Sequence, residues 1–208
     1  LGEEVSYKLG APGRHLVQNS LAVLAAVSLM DADLARAALA LGRMKAPKGR
    51  GERHRLDVGG VGAALIDESY NANPASMRAA IALLGQAVPG PDGRRIAVLG
   101  DMRELGVEGP ALHAGLADAL MAAKVDRVFA AGPLMESLWD VLPEEMRGAY
   151  AGTTAGIESD LAETVRPGDV VMVKGSNASR MGPLVEALKA RFAPAGAGAG
   201  DRQGRELA

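Results

Sequence analysis

Apolar residues are spaced in two ways along this chain, and the spacing changes near residue 50. From His15 to Met30, Leu16, Leu21, Leu24 and Val27 fall on one helical face, and towards the end nearly every position is small or apolar. The run "SLAVLAAVSLM" (Ser20 to Met30) is shorter than the roughly 20 residues that cross a bilayer, so it predicts a buried helix. Val5 to Leu9 has the pattern of the end of a strand. Asp31 to Asp33 interrupts the helix, and Asp33 is suited to cap a second one through Leu41. The stretch "GRMKAPKGRGERHR" (Gly42 to Arg55) is basic, glycine-rich and without apolar period, and it reads as a domain boundary.

Beyond it, strands and helices alternate. "RLDV" and "GAALID" predict a hairpin around Gly59-Gly60, whose second strand ends at Asp67; Pro74 opens a helix to Leu84. "RRIAVLGD" (Arg94 to Asp101), "DRVFAAG" (Asp126 to Gly132), "GAYAG" and "DVVMVKG" (Asp169 to Gly175) predict four more strands. Helices are expected at about Ala111 to Ala123, Pro133 to Val141, Ile157 to Val165 and Met181 to Phe192. Apolar strands alternating with amphipathic helices indicate an α/β domain, a mostly parallel sheet covered on both faces. "APAGAGAGDRQGRELA" has too little apolar surface to pack and is expected to be a flexible tail.

Composition narrows the function classes. The 208 residues are 48% hydrophobic and 23% charged, as in an ordinary globular chain, and the net charge of −2 offers no field for nucleic acid or an anionic membrane. Cysteine is absent, which removes disulfides and thiolate metal sites and suits a reducing, cytoplasmic setting. The chain opens on Leu1 in mid-pattern without a signal-peptide sequence, so a fragment lacking its N-terminal part is expected.

In a sheet of this kind ligands gather at the carboxyl ends of the strands. Three segments fall there: "DESYNANP" (Asp67 to Pro74), "GDMRELG" (Gly100 to Gly106) and "KGSNASR" (Lys174 to Arg180). Asparagine and proline build turns unaided, so the first has both a structural and a functional reading. The second can be a capped loop with a solvated ion pair. The third joins a lysine, a glycine and a helix start, an arrangement able to hold an anion, although a plain strand end with a turn glycine has the same composition. No G-x-x-x-x-G-K-[ST] occurs, so the chain has no P-loop. "GGVGAA" (Gly59 to Ala64) lacks the third glycine of a dinucleotide fingerprint and precedes a strand, which makes it a hairpin turn. His15, His54 and His113 are scattered without metal spacing, so no metal site is expected, and the absence of G-x-S-x-G disfavours a serine hydrolase.

In this order, "PGRHLVQNSLAVLAA", "KGRGERHR", "IDESYNANPASMRAA", "VLGDMRELG" and "VMVKGSNASRM" resemble the Mur ligases. The likeness is strongest to the member that joins D-alanyl-D-alanine to UDP-N-acetylmuramoyl-tripeptide, and it runs from about Leu9 to Phe192. It implies that residues 1–48 are the end of a central ATPase domain, 49–193 a complete C-terminal Rossmann-like domain and 194–208 the tail. The implied activity is an ATP-dependent carbon–nitrogen ligase of peptidoglycan precursor synthesis, acting through an acyl phosphate with ATP and Mg²⁺. Its metal ligands would lie mainly in the part of the central domain not represented here. The implied partners are the UDP-sugar tripeptide and the dipeptide, with no nucleic acid, no membrane insertion and a monomeric state. A related ligase such as folylpolyglutamate synthase, or a stand-alone α/β binding module without catalysis, are the competing readings; "YNANP" argues against the former.

The resemblance carries over by residue. His15 and Asn19 match positions facing the adenine side of the nucleotide, with Leu16 where the family has a second asparagine. Arg50 matches the linker arginine that reaches the ATP phosphates, with Arg53 as its alternative, and Asp67 matches the C-terminal-domain aspartate; these are the catalytic candidates. Tyr70, Asn71 and Asn73 would form the lip that closes over the nucleotide. Lys174 and Ser176 belong to the loop near the incoming amino substrate. Asn177 stands where arginine is more usual, so Arg180 becomes the candidate for the dipeptide carboxylate.

Overall fold

The chain divides into two units, Leu1–Glu52 and Arg53–Ala208. The structure, a computed structural model, describes residues 4–10, 14–44 and 48–194, with the backbone alone at 14 and 15. The expected tail, apart from Pro194, lies outside the described residues.

The first unit is built on α1 (Arg14–Leu29) and α2 (Leu34–Arg43). Asp33 caps α2 as expected, its carboxylate accepting the Arg36 N–H at 2.9 Å. Leu24, Ala38 and Leu41 form a small core onto which Val5, Tyr7 and Leu9 pack. The alternation at 5–9 therefore marks a real apolar face, but the segment is extended without strand pairing, because no other strand lies in this unit among the described residues. The expected burial of α1 is corrected as well: Val17, Leu21, Val23 and Leu29 are exposed. Two helices and one extended segment are too few elements to cover a helix that is apolar nearly all round.

The second unit holds a six-stranded sheet. Its strands in chain order are β1 (Glu52–Val58), β2 (Val61–Glu68), β3 (Arg95–Gly100), β4 (Arg127–Ala131), β5 (Arg147–Ala151) and β6 (Val170–Lys174), and their spatial order is β1-β2-β6-β3-β4-β5. All pairs from β2 to β5 are parallel. β1 starts three residues before the expected "RLDV", so His54 belongs to a strand and not to the linker. Gly59 and Gly60, at φ +63° and +84°, make the two-residue hairpin turn that brings β2 back. The helices are α3 (Pro74–Gln86), α4 (Gly109–Ala114), α5 (Ala117–Ala122), α6 (Glu136–Val141), α7 (Glu158–Thr164) and α8 (Met181–Arg191). The single helix expected over 111–123 is thus two, broken at Gly115.

Alternate residues of each strand enter different cores, which is why the central strands read as unbroken apolar runs. Ala97, Leu99 and Met172 meet α3 and the α4–α6 side through Met77, Ile81, Leu116 and Leu138. Ile96, Val98, Val171 and Val173 meet α7 and α8 through Leu161, Leu184 and Leu188. At the amino edge, Asp169 is wholly buried and takes a two-pronged bond from Arg94, Nη2 to Oδ2 at 2.8 Å and Nε to Oδ1 at 3.2 Å. That edge carries none of the candidate site segments. Among the described residues no helix is long and apolar enough to cross a membrane.

Candidate functional site

The parallel strands deliver their carboxyl ends, and the loops that follow them, to one edge of the sheet. The turn from β2 to α3 is held at nearly every residue. Asp67, 1% exposed, accepts the Ser69 N–H at 3.0 Å. Asn71 Oδ1 accepts the Ala72 N–H at 2.9 Å. Asn73, extended at φ −142°, accepts the Ser76 N–H at 2.8 Å while the Ser76 hydroxyl accepts the Asn73 N–H at 3.0 Å, a capping box with Pro74 in the first turn of α3. A backbone N–H can only donate, so the atom facing it in each asparagine must be the oxygen. Among the described residues neither NH2 group has a protein partner, and both side chains lie on exposed residues beside the exposed ring of Tyr70. The turn and ligand readings of these asparagines are therefore compatible, since one edge of each amide builds the turn and the other is left to donate. Asn73→Ala is expected to cost about 1 kcal/mol of stability as a lost N-cap, and Asn71→Ala clearly less because its bond spans adjacent residues at an exposed site; urea unfolding measures both.

Lys174 ends the central strand β6 and is 2% exposed. Its ammonium donates to the Asn71 carbonyl at 2.9 Å and pairs with Glu68 at 3.7 Å, so it is turned towards the asparagine turn. Ser176 is also buried; its N–H donates to the Asp101 carbonyl at 3.1 Å, and its hydroxyl has no hydrogen-bond partner among the described residues. Arg180 differs from both. It is exposed, and at φ +55° it occupies the left-handed region that arginine rarely adopts, a backbone cost of order 1–3 kcal/mol that is typical of functional sites.

Arg180 stands on the wall of a cavity of about 480 Å³, together with Asp101, Arg103, Gly132, Thr154 and Glu158. The Thr154 hydroxyl donates to the Ser179 carbonyl at 2.6 Å, tying the loop after β5 to the loop after β6. Asp101, 2% exposed, accepts the Leu134 and Met135 N–H groups on Oδ1, each at 3.1 Å. Burial pushes its carboxyl above the ordinary value; those two amides and Arg103 pull the other way. Gly132, at φ +121°, lies so close to the Asp101 carboxylate that no side chain fits there.

The structure thus gathers Asp67, Tyr70, Asn71, Asn73, Lys174, Ser176 and Arg180 along one sheet edge of the second unit, but only Arg180 among them lines the cavity. A ring nitrogen of His54 lies within 4.8 Å of a carboxylate oxygen of Asp67, close enough for the two to share a cation. Arg50, exposed in a turn, and Asn19, exposed on α1, belong to the first unit, and the side chain of His15 lies outside the described residues. Sequence reading passed over Gly132 and Thr154, which no motif marks, and weighed "GDM" as a capped loop.

A family model described as "Mur ligase, glutamate ligase domain" matches residues 49–177. The UDP-N-acetylmuramoyl-tripeptide--D-alanyl-D-alanine ligase of Mycobacterium tuberculosis is 32% identical over 206 residues, which cover 90% of this chain and 40% of that protein. The enzyme of the same name from Escherichia coli is 32% identical over 187 residues, covering 89% and 39%. The chain therefore spans about 40% of the length of the curated relatives it matches. Among solved structures, the MurF ligase of Thermotoga maritima in complex with ADP superposes with a TM-score of 0.70 at 25% identity, covering 88% of this chain and 39% of that one. A MurF structure from Acinetobacter baumannii gives a TM-score of 0.74 at 26% identity, with the same shares of 88% and 39%.

Proposed function

Because this chain belongs to the Mur ligase family, we propose that it is the C-terminal part of an ATP-dependent ligase that adds D-alanyl-D-alanine to UDP-N-acetylmuramoyl-tripeptide. The observation that carries the choice of amino substrate is the cavity, whose wall has a buried carboxylate, Asp101, and two arginines, Arg103 and Arg180. A dipeptide is a zwitterion. Asp101 suits its ammonium, the planar guanidinium groups suit its carboxylate, and the small Ala131, Ala155 and Ala178 leave room for two methyl groups.

In the proposed reaction the γ-phosphate of ATP passes to the tripeptide carboxylate, the dipeptide amine attacks the resulting acyl phosphate, and phosphate leaves as the peptide bond forms. The residues of this chain bind and orient. The NH2 edges of Asn71 and Asn73, with the exposed Tyr70 ring, fit acceptor atoms of a nucleotide, and Arg50 is the candidate for its phosphates. Lacking a P-loop, these residues depend on a nucleotide-binding part like that of the relatives for phosphate and Mg²⁺ chemistry. A cytoplasmic setting accords with a chain free of cysteine.

The test is phosphate release by the full-length protein. Release should require both the UDP-sugar tripeptide and D-alanyl-D-alanine. Arg180→Ala should raise KM for the dipeptide about tenfold or more, the scale of a lost charge-assisted hydrogen bond, and leave KM for ATP unchanged. Release that depends on glutamate or a diamino acid in place of the dipeptide would overturn the reading.

A further inference from the structure

Asp101 and Arg103 are carried by the loop between β3 and α4, which apolar packing holds only through the buried Met102 side chain and the partly buried Leu105. Arg103, Glu104 and Val107 are exposed, while Glu104 and Gly106 have left-handed backbones at φ +63° and +57°. What spans it is the imidazole of His113, on α4 and 0% exposed. The Met102 N–H donates to Nε2 at 2.9 Å, and Nδ1 lies 2.6 Å from the Gly109 carbonyl. Because the first group can only donate and the second only accept, the ring carries its proton on Nδ1 and has a bare Nε2. It ties the start of the loop, at 102, to the first turn of α4. Met102 adjoins Asp101, whose carboxylate is set by Leu134 and Met135 and whose carbonyl is set by Ser176. The anchors of Asp101 thus come from the loops after β4 and β6, and His113 adds a polar one at the next residue, beside the buried Met102 side chain.

We propose that His113, as the neutral Nδ1–H tautomer, is a positioning residue for the amino substrate: through the Met102 N–H it fixes the Asp101–Arg103 segment against the cavity. The inference rests on the functional reading above in assigning the dipeptide to that cavity. An apolar side chain of similar volume fills the same space but leaves the Met102 N–H unpartnered inside the protein, whereas the Gly109 carbonyl keeps the helical bond from the residue 113 N–H. Histidine is therefore required for its Nε2 acceptor and not for its bulk. The distinction is measurable.

The experiment compares His113→Leu, His113→Asn and His113→Gln in the full-length protein. Asparagine can keep the Gly109 contact and lose the Met102 one, whereas the glutamine amide reaches the position of Nε2 and can present its oxygen to Met102. His113→Leu and His113→Asn should raise KM for D-alanyl-D-alanine about tenfold, the effect of one buried hydrogen bond, with KM for ATP unchanged and His113→Gln near wild type. Hydrogen exchange of the Met102–Glu108 amides should quicken in the leucine and asparagine variants while that of β3 and β6 stays slow. Faster exchange in the loop with an unchanged dipeptide KM would overturn the positioning role, as would equal KM increases for ATP and dipeptide. Unchanged exchange in the leucine variant would overturn the brace itself. A wild-type protein that shows no dipeptide-dependent release sinks the functional reading, and the exchange data still decide the brace.

Discussion

Asp169→Ala is expected to destabilise the protein by about 3–5 kcal/mol, the cost of breaking a buried ion pair by removing one partner. Asp169 accepts four hydrogen bonds, from Arg94 N, Nε and Nη2 and from Arg166 N. Its loss leaves a guanidinium whose side chain is 18% exposed and two backbone N–H groups without their acceptor. Arg94 Nη2 also donates to the Thr164 carbonyl, so the same pair ties α7 to the start of β3. Asp169→Asn keeps an oxygen for part of this set and should lose about half as much. Converting the pair to Arg94→Met with Asp169→Leu should not restore stability, because the Arg94 and Arg166 N–H groups stay orphaned. Urea unfolding midpoints measure all three, and a loss in Asp169→Ala below about 1 kcal/mol would show the pair to be solvated.

The 208 residues by themselves are expected to release no phosphate from ATP above background, with or without the UDP-sugar tripeptide and D-alanyl-D-alanine. Phosphoryl transfer is catalysed by positioning and by charge set around the γ-phosphate, supplied elsewhere by P-loop amides, a lysine and Mg²⁺. No P-loop occurs in this sequence. Asp67 commits one carboxylate oxygen, and Asn71 and Asn73 their amide oxygens, to the turn, and they can complete a site but not create one. Positioning lost from half of a site is worth several kcal/mol of barrier, which puts residual turnover below detection in a coupled assay. Turnover by the rigorously purified chain would overturn both this expectation and the division of labour behind it.

The sheet was legible because strands buried on both faces leave runs such as Ile96–Leu99 and Val170–Val173, which no surface element can carry. The start of α3 was legible too, since Pro74 suits the first turn of a helix, although the Asn73–Ser76 capping box that completes it was not read. What periodicity could not supply is the accessibility of α1, which depends on how many elements surround it and not on its own pattern. Gly115 hid the break between α4 and α5 because a single glycine costs a helix only about 1 kcal/mol and is usually tolerated. In the candidate site, the bond of Lys174 to the Asn71 carbonyl joins positions 103 residues apart, and the partners of His113 are main-chain groups that any residue could provide. Such contacts leave no mark on composition or spacing.

The orientation of the two asparagine amides sets a rule for ligand design at this edge. A compound offering ring nitrogens, ethers or carbonyls towards the β2–α3 turn meets complementary NH2 groups, whereas an aniline or amidine would confront donor with donor. Rotating either amide to suit such a compound would turn its NH2 group on the Ala72 or Ser76 N–H, so the turn resists adapting to the inhibitor. Screening collections for this site can be filtered on acceptor geometry before any affinity is measured.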